Sequence, residues 1–176
     1  MRTRLFGSLV AATFIVASFF CVGNAKAQRS SSFNNDISLD FIDQLINNIL
    51  SIQYEFKTSS TSSIAIRAAF VTPVSGSSAF GAGGAWRFYI NDSRALSGMS
   101  VGPAAEIFFF KNNDLSKNNM VISIGGDFAY KFFFDQFTVE PMIGGRLGFT
   151  GTDVIPGVNT FTTLHVVGAV NLGWAW

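Results

Sequence analysis

The chain has 176 residues, with 12 Lys and Arg against 11 Asp and Glu, one His and one Cys. Only 13% of residues are charged, about half the share usual in soluble domains, and 20 are phenylalanine, so water is a poor solvent for the surface this composition presents. The balanced charge leaves no basic field for nucleic acid, and a single cysteine excludes a disulfide framework or a thiolate metal cluster.

Arg2 and Arg4 precede an apolar run from Leu9 to Val22 and then Ala25-Lys26-Ala27, the order of charge, apolar core and small-x-small site seen in secretory leaders. Residues 1–27 are therefore expected to be a signal peptide that is removed. An uncleaved anchor is the competing reading, but the run is shorter than the roughly 20 residues a helix needs to cross a bilayer. Cys21 leaves with the leader, and Ser18-Phe19-Phe20 lacks the small residue that a lipoprotein signal places before its cysteine. Loss of Arg2, Arg4 and Lys26 leaves nine bases against eleven acids, a net charge of about −2, on 149 residues that suit one domain.

Residues 28–35 are rich in Ser and Asn and read as a flexible lead-in to a barrel over 36–176. From there the chain alternates, every second residue large and apolar, which is the period of a strand. Over 36–41, Ile37, Leu39 and Phe41 alternate with Ser38 and Asp40. An amphipathic helix from Leu39 to Leu50, carried by Phe41, Ile42, Leu45, Ile46, Ile49 and Leu50, fits nearly as well, and the strand is preferred. Leu50, Ile52, Tyr54 and Phe56 then oppose Ser51, Gln53 and Glu55, and Ile64, Ile66 and Phe70 oppose Ala65, Arg67 and Ala69. Phe80, Trp86, Phe88 and Ile90 oppose Gly81, Gly83, Arg87 and Asn91, and Met99, Val101, Ala105, Ile107 and Phe109 oppose Ser100, Gly102, Ala104 and Glu106. Met120, Ile122, Ile124, Phe128, Tyr130 and Phe132 oppose Ser123, Gly125, Asp127 and Lys131. Phe137, Val139, Pro141, Ile143, Leu147 and Phe149 oppose Thr138, Glu140, Gly144, Arg146 and Gly148. The last strand sets Leu164, Val166, Val170, Leu172, Trp174 and Trp176 against Thr163, His165, Asn171 and Gly173.

Seven strands joined by polar connections at 57–62, 75–78, 91–97, 111–119, 135–136 and 151–160, with the shorter strand at 36–41 as an eighth, predict an all-β, antiparallel up-and-down barrel, and the even count is that of outer-membrane barrels. With the carboxyl end periplasmic, residues 111–119 and 151–160 face outward as long loops, and the turn at 135–136 faces the periplasm. The row between the apolar residues decides which face is inside. It is mostly Gly, Ala and Ser with about one charge per strand, which suits the side-chain-filled interior of an eight-stranded tube. Enclosed charges are tolerated only when paired, so Glu55, Arg67, Arg87, Glu106, Asp127, Lys131, Glu140 and Arg146 are expected to form an ion-pair network in the lumen. The alternative is that some lie hydrated near the rims. Aromatics near strand ends, among them Tyr54, Phe88, Phe132, Phe149 and Trp174, are placed to form interfacial girdles.

The terminal run Val170-Asn171-Leu172-Gly173-Trp174-Ala175-Trp176 resembles the strand by which outer-membrane barrels are recognised by their assembly machinery, with Val170, Leu172, Trp174 and Trp176 as the signal. It departs from the common pattern in ending with Trp and in carrying Asn171 where glycine is frequent. The mature chain is similar to small eight-stranded outer-membrane barrels, such as the transmembrane domain of outer-membrane protein A and the opacity-type surface proteins. Residues 87–91 and 95–103 are similar to a stretch found in small barrel families of Gram-negative bacteria. That resemblance implies residence in the outer membrane, contact with its lipid and with the barrel assembly machinery, and a structural or surface-interaction role. An extracellular ligand would meet loops 111–119 and 151–160. The alternatives are a narrow channel for ions or small solutes and a soluble periplasmic lipid-binding barrel.

No chemistry emerges from the residue pattern. His165 lacks a serine motif that it could activate, a lone His offers no metal cluster, and Gly81-Ala82-Gly83-Gly84 lies within a strand rather than at a phosphate-binding turn. No enzyme activity and no cofactor are expected.

Overall fold

In the computed structural model, residues 33–42, 49–74, 77–90, 95–112, 117–150 and 162–176 are described. Eight strands follow one another as β1 (Asn35–Asp40), β2 (Ile49–Lys57), β3 (Ser62–Val74), β4 (Ser77–Tyr89), β5 (Gly98–Asn112), β6 (Lys117–Phe134), β7 (Phe137–Thr150) and β8 (Thr162–Ala175). Each pairs antiparallel with its neighbour in sequence, and β1 pairs with β8 to close the barrel. The leader region 1–27 and most of the lead-in lie outside the described residues.

The register sets the dimensions of the tube. Paired residues lead from Ile37 through Tyr54, Ile66, Gly84, Ala105, Ile124 and Leu147 to Leu164. Continuing the β8–β1 register from Leu164 returns to β1 at the level of position 47, a stagger of ten residues from Ile37. With eight strands about 4.8 Å apart, that stagger tilts them by about 40° and gives a backbone cylinder about 16 Å across, which side chains fill from opposite walls.

Alternation sends polar side chains inward and apolar ones outward. The fully buried large side chains include Arg87, Arg146, Lys131, Gln53, Glu55, Glu140 and Asn171, while Ile66, Phe80, Trp86, Ile143 and Trp174 are exposed. Small residues floor the spaces between long ones. Ala65, Ala85 and Ala104 cluster in one layer and Ala129, Met142 and Ala169 in another.

The end of the barrel that holds Trp176 is closed by an apolar lid. Leu96, Phe133 and Ala175 pack together with Phe33 against them, and the Phe33 and Phe133 rings stack 5.6 Å apart. Leu96 reaches this position in the left-handed region at φ 73, followed by Gly98 at φ 82. A leucine is held there only because its side chain is buried. Residues 91–97, expected as a polar connection, thus send Ala95 and Leu96 into the mouth, pinned by Ala95 N donating to Ser60 O at 2.9 Å.

Two boundaries differ from the sequence reading. Residues 111–119 are mostly strand, because Asn112 pairs with Lys117 and leaves only 113–116 as the connection. Polar residues there continue the hairpin beyond the apolar band. Between 36 and 50 the preferred strand forms as β1 and the competing helix over 39–50 does not, since Leu39, Asp40, Ile49 and Leu50 are in strands; only Phe41 and Ile42 take helical geometry, with Asp40 Oδ1 accepting from Ile42 N at 3.0 Å, and residues 43–48 lie outside the described residues.

Candidate functional site

The lumen is organised around two ionic clusters joined by one amide. In the cluster nearer Trp176, Lys131 on β6 places its Nζ 2.7 Å from Asp36 Oδ2, 2.6 Å from Glu55 Oε2 and 3.2 Å from Glu140 Oε2. Arg87 on β4 places Nη1 2.8 Å from both Glu55 Oε2 and Glu140 Oε2. Two cations thus face three carboxylates, and neutral donors serve the remaining carboxylate oxygens. Thr138 Oγ1 donates to Asp36 Oδ1 at 2.8 Å, Tyr89 OH to Glu55 Oε1 at 2.7 Å, and Asn171 Nδ2 to Glu140 Oε1 at 3.0 Å. Ser63 Oγ also donates to Glu55 Oε1. Withdrawing so many charges from water is sustained only when their lone pairs are satisfied in this way.

The second cluster lies toward the other end. Glu106 Oε1 on β5 receives Arg67 Nη1 at 2.9 Å and Arg146 Nη2 at 3.3 Å. Arg146 Nη1 stands 2.6 Å from Asp127 Oδ1, a charge contact whose angle falls outside hydrogen-bond geometry, and it also donates to Gly126 O at 3.1 Å. Glycine is required opposite this arginine: a Cβ on Gly125, its cross-strand partner, would collide with the Gly145 carbonyl. Gln53 joins the two clusters, its Oε1 accepting from Arg67 Nη2 at 3.0 Å and Arg87 Nη2 at 3.2 Å.

All eight residues named from the sequence as lumen charges meet here, and six are fully withdrawn from solvent rather than hydrated at a rim. Arg67 and Glu106 are the exceptions, with 18% and 13% of their side-chain surface exposed. Sequence reasoning missed Asp36, Gln53, Ser63, Tyr89, Thr138 and Asn171. The inward parity of Gln53, Thr138 and Asn171 was visible, but which neutral residue meets which carboxylate depends on register. Asn171, the departure from the usual terminal strand, here satisfies Glu140.

Val170, Leu172 and Trp174 lie along the outward face of β8 and Trp176 follows its last residue, with Trp174 and Trp176 about half exposed and the Trp176 ring 6.3 Å from that of Tyr54. His165 pairs through its backbone with Arg146. Loop 151–160 and the side chain of His165 lie outside the described residues. Among the described residues no group of His, Cys, Asp or Glu is arranged to hold a metal ion.

Space is unevenly distributed along the axis. Beside Gln53, Ala65, Ala85 and Ala104 the gap does not admit a water molecule. Beyond Arg67, a cavity of about 410 Å³ opens, lined by Ser51, Ala69, Glu106, Phe108, Ser123 and Met142 among others. The arrangement can therefore crosslink strands and block the axis in one half while leaving a polar-floored chamber in the other. No family model, curated protein or solved structure matches the chain.

Proposed function

We propose that this protein is an integral outer-membrane β-barrel, exported through a leader at 1–27, inserted by the barrel assembly machinery, and acting as an envelope scaffold that presents the loop of 151–160 at the cell surface. One observation carries the reading: the barrel is inside out relative to a water-soluble protein. Among the described residues the largest fully buried side chains are Arg87, Arg146 and Lys131, while Ile66, Trp86, Ile143, Leu164 and Val166 are exposed around the wall. In water that wall would be a continuous apolar patch far beyond the few hundred Å² that monomers tolerate. Closure supports the same solvent, since hydrocarbon admits strands only where backbone groups are paired within the wall. A soluble lipid-binding barrel would need the opposite distribution, with apolar residues lining the lumen.

The lumen supports a scaffold rather than an open channel, because the ionic cluster and the lid of Leu96 and Phe133 stand in series across the axis. Cell fractionation combined with heat-modifiable migration on a gel tests the reading. The barrel is expected in the outer-membrane fraction and to migrate differently before and after boiling. Recovery as a native monomer in buffer without detergent contradicts it.

A further inference from the structure

Met142 occupies the joint between the two ionic clusters. It lies in β7, turned inward and buried, where two guanidinium groups meet its sulfur. Arg67 Nη2 donates to Met142 Sδ at 3.5 Å, and Arg87 Nη2 does so at 3.9 Å. The same two nitrogens donate to Gln53 Oε1 at 3.0 and 3.2 Å. A thioether is a weak acceptor, so Gln53 holds the two arginines and the sulfur does little more than fill the space beside them.

A sulfoxide at this position has different chemistry. Its oxygen is a polar acceptor that disrupts an apolar core, where nothing meets it. Here two cationic donors already face the sulfur. With an angle of about 110° at the oxygen and a hydrogen bond of about 2.9 Å, the donor nitrogen of a sulfoxide stands about 3.6 Å from the sulfur. The two observed separations bracket that value, so the oxidised side chain fits with little movement of either arginine.

Met142 also lines the interior chamber, together with Ser51, Arg67 and Ser123, on the polar side of the wall. Met99 on β5 and Met120 on β6 are outward positions among the apolar residues. A small polar oxidant is poorly soluble in hydrocarbon and enters the polar lumen, so Met142 is the methionine it meets. That selectivity rests on the membrane reading above; the site itself does not.

We infer that Met142 is a modification site, oxidised to the sulfoxide by hydrogen peroxide and held in that state by Arg67 and Arg87. The sulfur lone pair attacks one peroxide oxygen and the O–O bond breaks. The departing hydroxide takes the proton of the transferred hydroxyl and leaves as water. Sulfur is oxidised by two electrons and the peroxide is reduced by two. The new oxygen gives both guanidiniums a second acceptor beside Gln53, which tightens the joint between the clusters.

The test treats the assembled barrel in phospholipid liposomes with hydrogen peroxide, maps oxidised methionines by mass spectrometry, and follows the loss of heat-modifiability with temperature. Met142 is expected to gain one oxygen about fivefold faster than Met99 and Met120, and the oxidised barrel to unfold about 3 °C higher than the untreated one. Met142→Leu should abolish that rise. Met142→Gln sets an amide oxygen near both guanidiniums, should unfold at a higher temperature than Met142→Leu without peroxide, and serves alone against wild type if the leucine variant fails to assemble. A Met142 that stays unoxidised where free methionine reacts, or an oxidised barrel that unfolds at an unchanged or lower temperature, overturns the site. Oxidation of Met99 and Met120 as fast as Met142, with the upward shift retained, overturns the membrane reading and leaves the site standing.

Discussion

In the half of the lumen nearer Trp176, Asp36, Glu55, Arg87, Lys131 and Glu140 are almost wholly withdrawn from solvent, whereas in the other half Arg67 and Glu106 remain partly exposed beside an open cavity. The first half is sealed below by Leu96 and Phe133 and laterally by the five-pair β1–β8 seam. One sequence period builds both halves, so the difference comes from side-chain size: the second half turns small residues such as Ser51, Ala69 and Ser123 toward the axis. The sealed half carries stability and specifies strand register, because each of its carboxylates is met by residues from several strands. The open half has room for a ligand.

Substitutions in the two halves should separate these roles, and the largest effect belongs to the sealed half. Arg87→Ala leaves Glu55 and Glu140 buried beside Lys131 alone, and is expected to cost about 3–5 kcal/mol or to prevent assembly, read by urea unfolding of the barrel in micelles. If Arg87→Ala unfolds with the wild type, the cluster does not hold the barrel together. Leu96→Ala should cost about 2 kcal/mol, the lower range for a buried leucine, because the lid is one layer thick and stands at the mouth. It should not open a large steady conductance in a planar bilayer, since the ionic cluster still blocks the axis. Arg67→Ala, in the open half, is expected to cost about 1 kcal/mol, because its partner Glu106 retains Arg146 and some solvent. A loss equal to that of Arg87→Ala would erase the distinction between the halves.

How much of this was legible in the sequence follows the length of each periodic run. The 14 residues of β7 alternate long enough to fix both faces, so Glu140 and Arg146 were read inward without knowledge of any partner. β1 has only six residues, too few to separate strand from helical spacing, and Asp36 was consequently missed as the partner of Lys131. The apolar residues after Asp40 fit helical spacing as well, so the point where β1 ends could not be read. Leu96 was hidden for another reason. It sits among polar residues with no period, and its burial follows from a left-handed backbone that folds the connection over the mouth. Gln53 is chemically unremarkable as an inward amide, and its linking position between Arg67 and Arg87 exists only in the assembled register.

In a bilayer the apolar wall of this barrel should face acyl chains while the polar row faces the axis. Nuclear Overhauser contacts between lipid acyl-chain protons and side-chain methyl groups of the barrel in lipid nanodiscs test it most directly. Strong contacts are expected at the methyls of Ile66, Ile124, Ile143 and Leu147, which are exposed, and none at those of Ala65, Ala85, Ala104 and Ala129, which are buried within the tube. Acyl-chain contacts at those alanines, with the isoleucine methyls silent, would show that the wall does not face lipid.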